Sequence, residues 1–175
     1  VEAIIQLKKI ALNKDEQAAK ANYLLGNFYY NTSNWGFYRN FFYYEPDNYY
    51  LSYIYDYNTI PNTIKKAYNY NEGAGLISYN NPQKPYDYFL KAESISTNNE
   101  LKAKAVFQAS KCELDLFFSK QDNSYYGYDG NYKLLYSTST RPMFKRLKDN
   151  YAQTTFYKEI QSNCNYFKYY LQFRL

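Results

Sequence analysis

The stretch from Glu100 to Phe118, ELKAKAVFQASKCELDLFF, contains neither glycine nor proline, and its apolar residues recur every three or four positions. Leu101, Ala105, Ala109, Cys112 and Leu116 fall on one helical stripe, and Ala103, Val106, Phe107, Leu114 and Phe117 fall on another. A half-buried strand needs a period of two, which this stretch lacks. Apolar residues on both sides of a helix demand neighbours on both sides. The rest of the chain must therefore supply further helices.

It offers several. Residues 1–12 place Ile4, Leu7, Ile10 and Ala11 at helical spacing, Asn13 ends that pattern, and Asp15 is placed to cap the next helix. From Glu16 to about Asn31, Ala18, Ala21, Leu25, Phe28 and Tyr29 share one broad face. The alanines permit a neighbouring helix to approach closely, and Thr32–Ser33–Asn34 breaks the run. Pro85 opens a helix carrying Tyr88, Phe89, Ala92 and Ile95, and its missing N–H costs nothing in a first turn. Another follows Pro142, with Met143, Phe144, Leu147 and Tyr151. Thr154 or Thr155 caps a last one, with Phe156, Ile160, Cys164, Phe167 and Leu171 on a continuous stripe. Within residues 35–58, WGFYRNFFYYEP fits a helix continuing to Pro46, whereas NYYLSYIYDYN fits a strand or an irregular Tyr-rich loop. Residues 63–70 form a short helix candidate, and 120–140 read as a long loop. The expected class is all-α, in one domain over 1–175 with an insertion at about 33–84. Val1 falls inside a helical pattern, which predicts the C-terminal part of a longer chain.

Composition narrows the chemistry. The chain has 26 Tyr and 12 Phe but one Trp, so a mean hydropathy of -0.74 coexists with many apolar ring faces. A Tyr-, Asn-, Lys- and Ile-rich composition is also what an AT-rich genome favours. The net charge of +5 is spread in short groups, Lys8–Lys9, Lys65–Lys66 and Lys145–Arg146–Lys148, rather than gathered into the dense stripe of a nucleic-acid binder. No run of about 18 apolar residues is long enough to span a bilayer. There is no histidine, which removes Ser–His and Cys–His nucleophiles, imidazole zinc sites and the commonest general base. Two cysteines, Cys112 and Cys164, are too few for a thiolate metal site and read as small core residues. Glu72–Gly73–Ala74–Gly75 is a turn, not a phosphate-binding loop. Glu113 and Asp115, two apart on a helix, point in different directions and make a poor acid–base pair. No catalytic, cofactor or metal site is expected.

The helices also carry a partial internal repeat. ANYLLGNFYYN and KAVFQASKCEL each place a small residue, Gly26 or Ala109, in mid-helix, with Tyr29 or Cys112 three later. YFLKAESIS adds the pair Phe89 and Ala92. These features resemble the tetratricopeptide repeat, with Leu25–Gly26–x–x–Tyr29 matching its first helix and Phe89 and Ala92 its second. Gln108 stands where Leu is usual and Thr97 where Pro is usual. The closing segment FKRLKDNYAQTTFYKEI resembles the helix–turn–helix of repeats in bacterial outer-membrane-assembly lipoproteins. The Tyr- and Asn-rich insertions look like those of large proteins from Bacteroidetes-type bacteria.

The resemblance implies antiparallel helix pairs stacked as a short solenoid, and a non-catalytic scaffold that binds a protein or peptide partner. Its groove would be lined by Tyr23, Asn27, Tyr30 and Asn31 in one repeat and by Val106, Ser110 and Glu113 in the other. Only Asn27 suits a clamp for a terminal carboxylate; the Tyr and Asn residues suit an extended peptide. It also favours the cell envelope or periplasm over the cytoplasm. A glycan-binding or nutrient-uptake accessory protein of the envelope is the alternative, with Trp35, Tyr38, Tyr43, Tyr125, Tyr126 and Tyr128 as its stacking platform. Nucleic acid is not an expected partner.

Overall fold

The computed structural model describes residues 2–33, 36–38, 82–119 and 141–172, and every element among them is an α-helix. In chain order these are α1 (Glu2–Ile10), α2 (Glu16–Asn31), α3 (Gln83–Ile95), α4 (Asn99–Ser119), α5 (Pro142–Tyr151), α6 (Thr155–Asn163) and α7 (Asn165–Gln172). The expectations for 39–58, 63–70 and 120–140 lie outside the described residues. The chain divides into two compact units, Val1–Phe28 with Pro82–Leu175, and Tyr29–Asn81. None of the described helices is long and apolar enough to cross a membrane.

Local chemistry sets where the helices begin. The Asp15 carboxylate accepts the Ala18 N–H at 2.7 Å, and Asn98 Oδ1 accepts those of Glu100 and Leu101 at 2.8 and 3.2 Å. Thr154 Oγ1 accepts the Tyr157 N–H at 3.1 Å, which settles which threonine caps α6. Each satisfies donors that a first turn leaves open. α3 starts two residues before Pro85, at Gln83, so the proline sits within the first turn rather than at its opening. The sequence pattern also ran a single helix through Cys164, and there the structure differs. Cys164 is extended, with φ -107° and ψ 105°, and separates α6 from α7. That break turns buried Phe167 into the rings of Phe144 at 5.1 Å and Tyr157 at 5.3 Å, with Tyr170 against Phe144 at 5.4 Å.

In the larger unit, small residues bring helices together. Ala18, Ala19, Ala21 and Leu25 of α2 and Ala103, Ala105, Val106 and Ala109 of α4 are buried. Gly26 lies against the ring of Phe89 in α3, so closely that a Cβ there would stand 2.6–2.9 Å from three ring carbons. Contacts run in opposite order along these two helices: Glu16, opening α2, meets Ser96 and Thr97 just past the end of α3, whereas Gly26 meets Phe89 further back. α1 buries no side chain, but its end is tied in through the Ala11 carbonyl, which accepts from Asn22 Nδ2 of α2 and Lys91 Nζ of α3. Buried Glu93 of α3 accepts the Tyr151 hydroxyl at 2.7 Å and pairs with Arg146 Nε at 2.8 Å, joining α3 to α5. Of the basic group at 145–148, Arg146 thus reaches a buried carboxylate, while Lys145 pairs with Asp149 on the surface.

The described part of the smaller unit continues from α2. Ser33 Oγ donates to the Tyr30 carbonyl at 2.6 Å, and the Tyr38 N–H donates to the Asn31 carbonyl at 2.9 Å. Gly36 passes so close to Tyr30 and Asn31 that a Cβ would lie 2.2 Å from the Tyr30 oxygen. No other residue fits there.

Candidate partner-binding surface

Three glutamates reach away from their own helices, Glu100 and Glu113 to the first turns of α6 and α5 and Glu16 to the turn that precedes α4. Glu16, in the first turn of α2, accepts the Thr97 N–H and the Ser96 hydroxyl, both at 2.8 Å, and the Thr97 hydroxyl at 3.2 Å. Glu100, in the first turn of α4, accepts the N–H groups of Thr155 and Phe156 at 2.6 and 3.0 Å. Glu113, further along α4, accepts the Met143 N–H at 3.1 Å at the start of α5. Negative charge is favourable at a helix N-terminus because the first N–H groups lack partners there and carry partial positive charge. The hydrogen bonds hold the Glu16 and Glu100 carboxyls below the usual carboxylate range. Thr97 stands where the resemblance expects proline, and proline has no N–H to give Glu16.

These bonds join the first turn of α2 to the turn before α4, and the first turn of α4 to that of α6. They also fix how α2 and α4 correspond. Setting Glu16 on Glu100 matches Ala19 with Ala103, Ala21 with Ala105, Asn22 with Val106, Leu25 with Ala109 and Gly26 with Ser110, all of them buried. It matches Lys20 with Lys104, both exposed, and Tyr23 with Phe107 and Asn27 with Lys111, all half-buried. The sequence pattern had set Gly26 on Ala109, one residue away.

That shift corrects the α4 half of the expected groove. Val106 is fully buried, Ser110 is buried with its hydroxyl on the Phe107 carbonyl, and Glu113 is buried against Arg141 and Met143. None of the three offers a surface. The equivalent outward positions are Phe107, Lys111 and Leu114, each half-buried. Of the α2 residues, Tyr23 is half-buried with its ring 5.9 Å from that of Phe89, and Asn27 is half-buried one turn on. Tyr30 and Asn31 are half-buried and belong to the smaller unit, so they form no single described site with the others.

The outward face of α4 carries cations over rings. Lys111 Nζ lies 5.3 Å from the centre of the Phe107 ring, and Lys104 Nζ lies 5.9 Å from that of Phe156 in α6. The two rings meet edge to face at 5.6 Å and 74°. Burial pushes the Lys111 ammonium below its ordinary range, partly offset by nearby Cys164, Cys112 and Asp115. Sequence reasoning missed this face, although the Lys–x–x–Phe–x–x–x–Lys spacing was there to be read.

Glu113 has a different environment. Burial raises its carboxyl to about 7, against the Met143 N–H and Arg141, which both favour its charged form. Arg141 Nε is 3.6 Å away, and the guanidinium lies 4.1 Å over the Phe144 ring. Asp115 is buried as well. Among the described residues no group of three or more Cys, Asp or Glu is placed to hold a metal ion. Both cysteines are free thiols, Cys112 buried and Cys164 half-buried. Of the expected stacking platform only Tyr38 lies among the described residues; it is 47% exposed and meets Phe37, 79% exposed, edge to face at 5.1 Å. No protein-family model, curated protein or solved structure matches the chain.

Proposed function

We propose that this chain is a non-catalytic interaction scaffold of tetratricopeptide type. In this reading α2–α3 and α4–α5 are antiparallel pairs, α6 opens a third, and the first helices present a common face to an extended segment of a protein partner. The observation that carries it is a glutamate in the first turn of each of two helices that reaches forward to the next, Glu16 to Thr97 in the turn before α4 and Glu100 to Thr155 and Phe156 at the start of α6. Such a device repeats a helix pair along a line, and a line of pairs offers a long surface to partners. The close seat of Gly26 on Phe89 supports the same reading, since a small residue is what lets two paired helices cross closely.

A non-catalytic role fits a chain with no histidine, in which buried Glu93 and Glu113 each hold a structural partner. The test is selection of random peptides displayed on phage against the folded chain, followed by anisotropy titration of the winners. The scaffold reading expects saturable binding that competes with a second winner. Failure to enrich any peptide, with the protein folded by circular dichroism, removes it.

A further inference from the structure

We infer that Glu113 is a proton-operated latch on the start of α5. As a neutral carboxyl it stays buried against Met143 and keeps the first turn of α5 seated on α4; as a carboxylate it draws that turn open. The device is independent of whether the helices bind a partner.

The geometry of the carboxyl carries it. Oε1 accepts the Met143 N–H at 3.1 Å, but Oε2 is buried and accepts no hydrogen bond. Its ion-pair partner, Arg141 Nε, stands 3.6 Å away, beyond hydrogen-bond reach, with the guanidinium laid over the Phe144 ring at 4.1 Å. A carboxylate in this place loses the water that stabilises its charge, and a partner that does not bond to it returns little. The protonated form carries no charge to desolvate. Burial accordingly raises the carboxyl from 4.5 to about 7, against the Met143 N–H and Arg141. Most groups that face it keep one charge state across that range. Tyr86 of α3 and Tyr170 of α7 are pushed up by burial first and by nearby acids second, Glu113 among them. Burial also pushes up the Cys112 thiol of α4, while Arg141 stays charged throughout. Asp115 is buried two residues further along α4, on another side of that helix.

The part that moves is short. The Met143 N–H is a first-turn donor with no partner inside its own helix, and Glu113 satisfies it. The far end of α5 has a separate tie, through Tyr151 and Arg146 to Glu93. Ionisation therefore opens α5 from its start, around Arg141, Met143 and Phe144, and leaves its end held. Phe144 packs on Phe167 and Tyr170 of α7, so the opening bares that ring cluster. A solvated carboxyl titrates near 4.5 and the seated one near 7. Between these values the open form gains about tenfold per pH unit, and above them it levels off.

The test follows hydrogen exchange of the Met143 amide, and of the Lys145 amide bonded to the Arg141 carbonyl, by NMR across the acid-to-neutral range. Each rate is divided by its unprotected value, in the whole chain and in E113Q, and the Glu113 carboxyl carbon is titrated alongside. The carboxyl should titrate near 7, and protection should fall about tenfold per pH unit up to there and then level off. Low urea should matter little, because a local opening exposes little surface. In E113Q protection should not depend on pH; if that variant does not fold, the native carboxyl midpoint and the urea response decide alone. A carboxyl midpoint at or below 4.5 would overturn the latch, as would protection that ignores pH or falls equally in E113Q. Protection that rises with pH would mean that Arg141 closes on the carboxylate instead. A urea-dependent loss shared with the amides of α2 would mean global unfolding, and either result overturns the proposal.

Discussion

Replacing Gly26 with alanine sets two effects of opposite sign against each other. In a helix interior alanine is favoured over glycine by about 0.5–1 kcal/mol, because glycine loses more backbone freedom on folding. Against this, the new methyl carbon would lie 2.6, 2.7 and 2.9 Å from three carbons of the Phe89 ring. Ordinary contact would require the ring to withdraw by several tenths of an ångström. Phe89 is fully buried and Tyr23 packs on it at 5.9 Å, so the ring cannot withdraw without displacing its neighbours. Overpacking of this kind costs about 1–3 kcal/mol, and the net expectation is a loss of about 1–2 kcal/mol. Phe89→Leu should relieve the clash: G26A introduced into F89L should be neutral or stabilising by up to about 1 kcal/mol. The double-mutant cycle then yields a coupling of about 2 kcal/mol, read from urea unfolding followed by far-UV circular dichroism. If G26A stabilises the protein equally with and without Phe89, the two helices do not cross where the Gly26–Phe89 contact places them.

Other consequences follow from the acids and thiols. The Glu113 carboxyl is raised from 4.5 to about 7 in the folded chain, so the folded state holds its proton more tightly. Its contribution to stability is full below about 4.5 and is lost as pH rises to about 7, a change of up to about 3 kcal/mol that should disappear in E113Q. Glu16 and Glu100 act in the opposite sense: their carboxyls are lowered, so their contribution is present above the usual carboxylate range and is lost as acid protonates them. E16Q/E100Q should therefore flatten the acid limb of an unfolding-versus-pH profile, and an unchanged limb would show that the two links are not formed in solution. A thiol reagent should modify half-buried Cys164 in the native protein but reach Cys112 only on unfolding, since burial both shields that thiol and pushes its ionisation up. Rapid native labelling of both would contradict the packing of α4.

Much of the helical framework was legible because its signals are local. Period marked α2 and α4, and Asp15 stood where a side-chain oxygen reaches the first turn of α2; Asn98, which caps α4, was not read as a cap. What escaped was set by residues far apart in sequence. The stripe through Ile160, Cys164, Phe167 and Leu171 continues unbroken in sequence, and only the ring cluster around Phe144 and Tyr157 explains a break at Cys164. The correspondence of α2 with α4 slipped by one because Ala109 and Ser110 are adjacent and both small. Either could have matched Gly26; the pattern of the whole helix decided for Ser110, because the other register sets buried Ala21 on exposed Lys104. That slip moved the expected α4 groove residues onto the buried side. Glu16 and Glu100 read as ordinary first-turn acids, which are favourable on their own helices; nothing local announces that each serves the start of another. The departure at Thr97 was visible, but its reason, an N–H required by Glu16, needed the fold.

The proposed row of first helices is tested most directly by amide hydrogen exchange at Thr97, Thr155 and Phe156, followed residue by residue by NMR. In the native chain all three should be protected. Glu100→Ala should accelerate Thr155 and Phe156 by about tenfold or more while leaving Thr97 slow, and Glu16→Ala should do the reverse. Three amides that exchange freely in the native chain, or that ignore both substitutions, would mean that the glutamates do not link one first helix to the next.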